Sequence, residues 1–455
     1  MQEKLCDTLK REGQGHVLRF MDGLDDAGKA ALEAQIASLD FAAIDRMKAL
    51  LASGRTSSVD LNGLEPAPVA EPDESARAKA AKRGEEELRA GCVAVALVAG
   101  GQGSRLGFDG PKGSYPIGPI SSKPLFHFHA RKILAMSRRY GADIPFYIMT
   151  SETNDAATRA HFEENGFFGL KPENVRFFKQ GMWPALDPDG RIILDAPGHI
   201  FMSPDGHGGI LSAMKSQGVI DDMAARGIST VFYFQVDNPM VEVASPEFIG
   251  LHLLAGAEMS IKVCAKRDPQ EGLGMVVSRR GRCEMVEYSD FPDDLKNRRR
   301  ENGDLYYKFG SVAIHIFSFD FLRREAEAAM PIHVAHKKIP FVDEAGAVVK
   351  PDKPNGYKFE KFIFDVIPEA KNVLNVAFDR AEEFSPVKNA EGNDSPATCR
   401  RDLVAKWRRW FNECGVNVPD GAVIEIDPAF ANSPKELMAR LIGGFVPVFD
   451  GRVFE

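Results

Sequence analysis

Val93-Ala-Val-Ala-Leu-Val-Ala99-Gly100-Gly-Gln-Gly103-Ser-Arg105-Leu-Gly107-Phe-Asp-Gly110-Pro-Lys112-Gly113 runs without a break from an entirely apolar segment into a loop built on glycine. A continuous apolar run of this length predicts a strand buried on both faces, as in a parallel sheet. The glycines let the following backbone approach a ligand closely and aim N–H groups at phosphate oxygens. Arg105 and Lys112 add cations suited to a triphosphate. The plain alternative is a glycine-rich turn at the end of a strand. Two commoner phosphate loops are excluded, because Leu106 stands where G-x-G-x-x-G needs glycine and no G-x-x-x-x-G-K-[ST] occurs.

Outward from this stretch the chain alternates between strand and helix patterns. Helices are expected at 124–139, 156–165, 209–217 and 246–255, and strands at 144–150, 175–178, 230–236 and 260–265. That alternation predicts a doubly wound α/β domain. Hairpin strands follow at 275–278 and 283–288, around a turn at 279–282. Upstream, residues 1–54 read as helices, with Leu18, Met21 and Leu24 and then Leu32, Ile36 and Leu39 at helical spacing. Prolines 66, 68 and 72 mark 57–73 as a linker or exposed loop, and 74–90 reads as helix. The tail from Pro396 offers a helix at 397–414 and further segments at 423–426 and 437–445. The expected layout is a helical amino-terminal domain (1–90), a central domain (91–389) and a small α+β carboxy-terminal domain (390–455).

Composition bounds the partners. A chain of 455 residues predicts more than one domain. A formal charge of −8 argues against general nucleic-acid binding. The basic runs 296–300 and 400–409 read as solvated patches. Six scattered cysteines without C-x-x-C spacing fit reduced thiols. The first thirty residues lack the apolar core of a signal peptide, and the most apolar stretch, 93–100, is too short to span a bilayer. A cytoplasmic protein without membrane contact is the expectation.

Beyond the loop, four further features invite a chemical reading. Asp237 falls at the carboxyl end of an apolar strand, where open α/β sheets place ligands, and its carboxylate suits Mg²⁺; it equally suits the start of a turn before Pro239. Gly206, Gly208 and Gly209 open a helix, either to meet a base or sugar or simply as a cap. Glu287 on a hairpin strand either accepts from sugar hydroxyls or is an exposed glutamate. Lys388 by itself reads as a solvated lysine. His333 and His336, three apart and with no third ligand evident, read as structural.

The loop Gly-Gly-Gln-Gly-Ser-Arg-Leu-Gly…Pro-Lys-Gly resembles the activating loop of the UDP-sugar pyrophosphorylases, particularly the eukaryotic-type UDP-N-acetylglucosamine pyrophosphorylases. Further blocks match in order over about 90–400: Gln180-Gly-Met-Trp-Pro-Ala185, Pro204-Asp-Gly206-His-Gly-Gly209, Val236-Asp-Asn238, Val286-Glu-Tyr-Ser289, Glu360-Lys-Phe362-Ile-Phe-Asp365 and Glu383-Phe-Ser-Pro-Val-Lys388-Asn389. The resemblance implies a Rossmann-like mixed sheet of the nucleotide-diphospho-sugar transferase type. It implies an enzyme that joins UTP to a sugar 1-phosphate with Mg²⁺, yielding a UDP-sugar and pyrophosphate.

Carried over residue by residue, Arg105, Lys112 and Lys388 become the catalytic cations. Ala99, Gly100, Gly101, Gly103 and Lys112 become the phosphate-side nucleotide contacts, and Gln180, Pro204 and Gly206 the base-side ones. His207, Asp237, Gly274, Glu287, Ser311, Phe362 and Lys388 become the substrate set, with Asp237 also the metal ligand. Two positions depart from the N-acetylglucosamine pattern: His207 replaces an asparagine, as in UDP-glucose-type relatives, and Ser311 (with Ile314) replaces asparagines of a G-N-x-A-N-H element. The implied sugar is therefore N-acetylglucosamine 1-phosphate, with glucose 1-phosphate or a broad range as the alternative. A nucleotide-sugar-binding protein without catalysis is a third reading, opposed by intact Arg105, Lys112, Asp237 and Lys388.

Overall fold

The computed structural model describes residues 3–54 and 60–455. Two compact units emerge, each assembled from separated stretches of chain. The first comprises Met1–Asp60, Gln180–Ile210 and Ala329–Asp365; the second comprises Leu61–Lys179, Leu211–Ala328 and Val366–Glu455.

The second unit is built on a ten-stranded mixed sheet. Its strands are β1 (Leu64–Pro66), β2 (Val93–Val98), β3 (Phe146–Thr150), β4 (Val175–Lys179), β5 (Thr230–Gln235), β6 (Met259–Ala265), β7 (Gly274–Arg279), β8 (Arg282–Val286), β9 (Phe309–Ser318) and β10 (Val373–Ala377). The order along the main path is β1-β7-β9-β5-β2-β3-β4, with β6 on β9 and β10, and β8 on β7. Strands β5, β2, β3 and β4 are mutually parallel. This fits their sequences, since Val93 to Leu97 are each at most 1% exposed. The β7–β8 hairpin turns on Arg280 and Gly281, both at positive φ (50° and 81°), as a two-residue turn of matching twist requires.

Glycine brings two helices into backbone contact. Glu74–Arg89 crosses Pro246–Leu254 where a Cβ on Gly84 would lie 1.8 Å from the Pro246 carbonyl oxygen, and one on Gly250 would lie 1.7 Å from that of Ala80. The helix at 74–89 therefore belongs to the second unit and not to an amino-terminal domain.

Several expectations need correction. Of the expected linker 57–73, residues 57–59 lie outside the described residues; the rest is tied to the sheet. Leu64–Pro66 pairs with β7, and the Ala70 N–H donates to the Asn375 carbonyl at 2.8 Å. Proline is tolerated because β1 is an edge strand. The tail does not form a separate α+β core. Its helix Pro396–Glu413 carries Trp407, Trp410 and Phe411 into the same apolar cluster as Val95, Phe128 and Phe232. Segment 423–426 contributes one isolated bridge, Ile426 with Phe454, rather than a strand. The run 400–409 is not a solvated patch either. The Arg400 guanidinium donates to the Pro116 carbonyl at 2.7 Å, Arg408 donates to those of Val418 and Ala422, and Lys406 is buried.

The first unit gathers Glu3–Arg11, Asp26–Ala37 and Phe41–Ala52 with small hairpins. The stretch around Leu18 to Leu24 forms short 3₁₀ turns rather than helix. Asp25 ends it by accepting the Gly28 N–H at 2.7 Å, which caps the next helix. Leu32, Ile36, Ile44 and Met47 pack with Trp183, Leu186, Ile200 and Phe359 in one core. Among the described residues no helix is long and apolar enough to cross a membrane.

Candidate active site

In the second unit the glycine loop is anchored before it turns. The Ala99 N–H donates to the Met149 carbonyl at 2.8 Å, and buried Asn154 donates its amide to the carbonyls of Ala99 (2.9 Å) and Gly101 (3.2 Å). Two 3₁₀ turns follow, Ser104–Leu106 and Lys112–Ser114. The Gly103 N–H donates to the Gly110 carbonyl at 2.9 Å, so this donor closes the loop and does not point out to a ligand. Gly103 is glycine for packing: a Cβ there would meet Phe108 Cδ1 at 2.7 Å. Gly101 has open space on the same test, with nothing within 4 Å. Arg105 is exposed and forms no ion pair among the described residues.

The loop delivers Lys112 to Asp237. Lys112 donates its backbone N–H to the Gly101 carbonyl at 3.0 Å, and its Nζ stands 3.8 Å from Asp237 Oδ2, with both side chains mostly buried. Asp237 sits in the turn after β5, and its carbonyl accepts the Val387 N–H at 2.8 Å. The neighbouring Lys388 is thereby tied by its backbone to the Asp237 turn; its own N–H donates to the Asp394 carbonyl at 2.7 Å. Lys388 is part of a braced segment and is half-buried, with its Nζ 5.9 Å from the centroid of the Phe384 ring.

Among the described residues no group of three His, Cys, Asp or Glu could hold a metal. A lone carboxylate such as Asp237 fits Mg²⁺, which takes its other ligands from phosphates and water, and does not fit a zinc cage.

Gly274 and Ser311 face each other in the β7–β9 register. Ser311 is 7% exposed, and its Oγ accepts the Ala313 N–H at 3.3 Å. Glu287 lies one residue past β8 and is half-buried rather than exposed.

In the first unit Pro204, Gly206, His207 and Phe362 come together around one loop, and the carbonyl of Gly181, next to Gln180, accepts the Asp205 N–H at 3.0 Å. Gly206 has φ 85°, and a Cβ there would lie 2.4 Å from the Lys361 carbonyl oxygen, so both conformation and space require glycine. The Gly208 N–H donates to that same carbonyl at 2.9 Å. His207 stacks on Phe362 with ring centroids 5.3 Å apart, and the Ile363 N–H donates to its Nδ1 at 3.2 Å. Burial, helped by nearby His333, pushes the His207 pKa down to about 4, so the neutral ring keeps its proton on Nε2. His333 and His336 sit on a strand, His333–Lys337, which puts residues three apart on opposite faces. His333 meets Asp365 at 2.8 Å and His336 stacks on Tyr357, so the structural reading stands for both.

A stability prediction arises from His207. Between about pH 6.5 and pH 4 the unfolded chain takes up a proton that the native site refuses, so stability falls as pH drops through that window. Denaturant titrations at pH 7 and pH 5 should show His207→Asn losing less stability on acidification than wild type, by at most about 1.4 kcal/mol per pH unit. Identical pH dependence in the two proteins would contradict the buried neutral ring.

Sequence reasoning missed the support beneath these residues. Asp205 is 3% exposed with Lys361 Nζ at 3.3 Å, and Lys361 also lies 4.4 Å over the Trp183 ring. Burial raises the Asp205 pKa although Lys361 opposes it. Gly181 and Gly209 make room for this carboxylate, since a Cβ on either would come within 2.6 Å and 2.1 Å of it. The available signal was an acidic residue enclosed by glycines in both Gln180-Gly181 and Pro204-Asp-Gly206-His-Gly-Gly209.

Residues 42–395 match the family model described as UTP–glucose-1-phosphate uridylyltransferase. The chain is 38% identical to the UDP-N-acetylglucosamine pyrophosphorylase of Saccharomyces cerevisiae over 82% of this chain and 79% of that one. It is 39% identical to human UDP-N-acetylhexosamine pyrophosphorylase-like protein 1, over 90% of this chain and 86% of that one. Its structure resembles that of the uridine diphosphate N-acetylglucosamine pyrophosphorylase of Trypanosoma brucei, solved with an inhibitor, with a TM-score of 0.83 and 28% identity over 96% of this chain and 94% of that one.

Proposed function

Because the chain belongs to the UTP–glucose-1-phosphate uridylyltransferase family, we propose that it joins UTP to N-acetylglucosamine 1-phosphate and releases UDP-N-acetylglucosamine and pyrophosphate. It is an enzyme, a uridylyltransferase of the pyrophosphorylase kind. The named relatives support the sugar. The observation that carries the site is Lys112 Nζ lying 3.8 Å from the Asp237 carboxylate, on the turn that also braces Lys388. The mixed sheet is read as the doubly wound, Rossmann-like fold of the nucleotide-diphospho-sugar transferases, and the scattered cysteines as those of a cytoplasmic protein.

In this reading a phosphate oxygen of the sugar 1-phosphate attacks the α-phosphorus of UTP in line. A new P–O bond forms, the bond to the bridging oxygen of the β-phosphate breaks, and pyrophosphate leaves with that oxygen. The attacking group is already an anion at neutral pH, so no general base is required. Arg105 and Lys112 neutralise the triphosphate, and Lys388 the phosphates at the reacting centre. Gly100 and Gly101 let the phosphates approach the loop, which Ala99 and Gly103 hold in shape through their bonds to Met149 and Gly110. Gln180, Pro204 and Gly206 take the uracil, whose imide edge an amide side chain can both donate to and accept from. Asp237 would hold Mg²⁺, which would supply positive charge to offset that on the phosphate oxygens. Gly274, Glu287, Ser311, Phe362 and His207 line the sugar side.

The test is pyrophosphate release from UTP and Mg²⁺ with a panel of sugar 1-phosphates. Absence of release with every sugar would overturn uridylyl transfer. His207 and Ser311 favour a second reading, in which glucose 1-phosphate is also used. A neutral imidazole with Nδ1 already engaged offers only a donor, and serine is shorter than the asparagine amide that could both donate and accept. N-acetylglucosamine 1-phosphate and glucose 1-phosphate are therefore expected to differ in kcat/KM by less than about 10²-fold. The paired change His207→Asn with Ser311→Asn should move the ratio toward the N-acetyl sugar. A wild-type preference above about 10³-fold, the range of a hydrogen-bonded site, would show that these positions do not set selectivity.

A further inference from the structure

Three lysines of the second unit lie buried where the chemistry above makes no use of them: Lys132 at 6% exposure, Lys262 at 4% and Lys406 at 8%. Burying an ammonium group is costly unless its donors are satisfied, and burial lowers the pKa of both Lys132 and Lys406. Their donors go to one place. Lys132 Nζ donates to the carbonyls of Pro239 and, at 2.7 Å, Val241. Lys406 Nζ donates to the carbonyls of Met240 at 3.3 Å and Glu382 at 2.6 Å. Lys262 pairs with one oxygen of the Glu383 carboxylate, whose other oxygen accepts the Glu242 N–H at 3.3 Å. Asn238, 4% exposed, donates its amide to the Glu383 carbonyl at 2.6 Å and accepts the Ser385 N–H at 3.2 Å.

The two segments so gripped are 237–242, which begins with Asp237, and 382–388, which ends with Lys388. Irregular backbone past a strand end has carbonyls with no ladder partner, and they must be satisfied elsewhere. Here the carbonyls are satisfied by Lys132 and Lys406, from the helices Leu125–Tyr140 and Pro396–Glu413, while Lys262 of strand β6 holds the Glu383 carboxylate; all three elements are regular. Lys406 touches both segments at once, so it sets their spacing directly. Stability alone is a weak reason for such a cluster, since buried ions are often replaced by apolar groups without loss. A reacting centre held from behind on rigid elements is a strong one.

We propose that Lys132, Lys262 and Lys406 are positioning residues, which hold the Asp237 turn and the Lys388 segment in register for the transfer reaction. This rests on the reading that Asp237 and Lys388 serve that reaction. The test compares Lys132→Met, Lys262→Met, Lys406→Met and Asp237→Asn with wild type by amide hydrogen exchange and by Mg²⁺ titration of activity. Without ligand, exchange should accelerate at least about tenfold in 237–242 for Lys132→Met, in 382–388 for Lys262→Met and in both segments for Lys406→Met, and stay unchanged in β2 and β3. The Mg²⁺ concentration for half-maximal rate should rise about tenfold, as for lost support behind a metal ligand, with KM for UTP little changed. Should Lys406→Met not fold, Lys406→Gln keeps two amide N–H donors on a shorter, uncharged side chain and should give an intermediate effect on both readouts.

Unchanged exchange in the two segments, or acceleration spread evenly over the whole protein, would overturn the proposal. Local loosening with an unchanged Mg²⁺ requirement and rate, while Asp237→Asn is inactive, would overturn it too. If Asp237→Asn itself keeps full activity, the placement of the reacting centre has failed instead, and the exchange data report that separately.

Discussion

Lys112→Ala is expected to cut kcat/KM for UTP by about 10²-fold or more, on the scale of losing one preorganised donor to developing charge. The size of the effect follows from how the residue is mounted. Pro111 precedes it, its own N–H is tied to Gly101, and Gly113 behind it is pressed on the core, where a Cβ would lie 2.1 Å from buried Phe126. The ammonium group therefore starts from a fixed base, and little reorganisation is needed when the triphosphate arrives. Lys112→Arg should recover only part of the loss, because a planar fork cannot occupy the place of a compact ammonium at a mostly buried position. Arg105 is exposed and has no ion pair among the described residues, so Arg105→Ala should lose less than Lys112→Ala. Steady-state kinetics of the three variants check this. A Lys112→Ala enzyme within about threefold of wild type would remove Lys112 from the phosphate site.

Asp237→Asn should lose activity by about 10²-fold or more even at saturating Mg²⁺, while EDTA abolishes wild-type turnover and Mg²⁺ restores it. The substitution keeps the side-chain volume and leaves the bond from the Val387 N–H to the Asp237 carbonyl in place, so the fold should persist. What is lost is one negative charge, and with it both the only carboxylate proposed for the metal and the ion pair with Lys112. Thermal melts should match wild type within a few degrees while turnover collapses. Full wild-type activity in EDTA would rule out metal assistance, and an active Asp237→Asn would move the metal site elsewhere.

Much of the second unit was legible from residues alone. An unbroken apolar run such as 93–99 can only be stable with both faces covered, and the central parallel strands β2, β3 and β5 are largely such runs, whereas β4 at the end of the order carries Arg176 and Lys179. The glycine loop, with Lys112 near its end, was equally plain. So was the place of Asp237, because a strand end in an α/β sheet is set by where the apolar run stops. By contrast, the boundaries 1–90 and 390–455 followed changes of texture along the chain, whereas the units follow burial. Trp407 and Phe411 share a core with Val95, and the helix at 74–89 packs on Pro246–Leu254 through two glycines that periodicity treats as faults.

By itself the sequence determined the alternation of strands and helices from 93 to 265, the family, and which residue kinds gather for the chemistry, since these depend on local pattern and on order along the chain. Only the tertiary structure decided what each polar group does. It turned the Gly103 N–H inward to Gly110, made His207 a neutral ring stacked on Phe362, and buried Lys406 out of an apparently solvated basic run. A donor's partner and a cation's exposure are set by residues distant in sequence, as Lys132 with Val241 and Lys406 with Glu382 illustrate. Hydrogen bonding and desolvation act over a few ångströms of space, and no spacing along the chain encodes them.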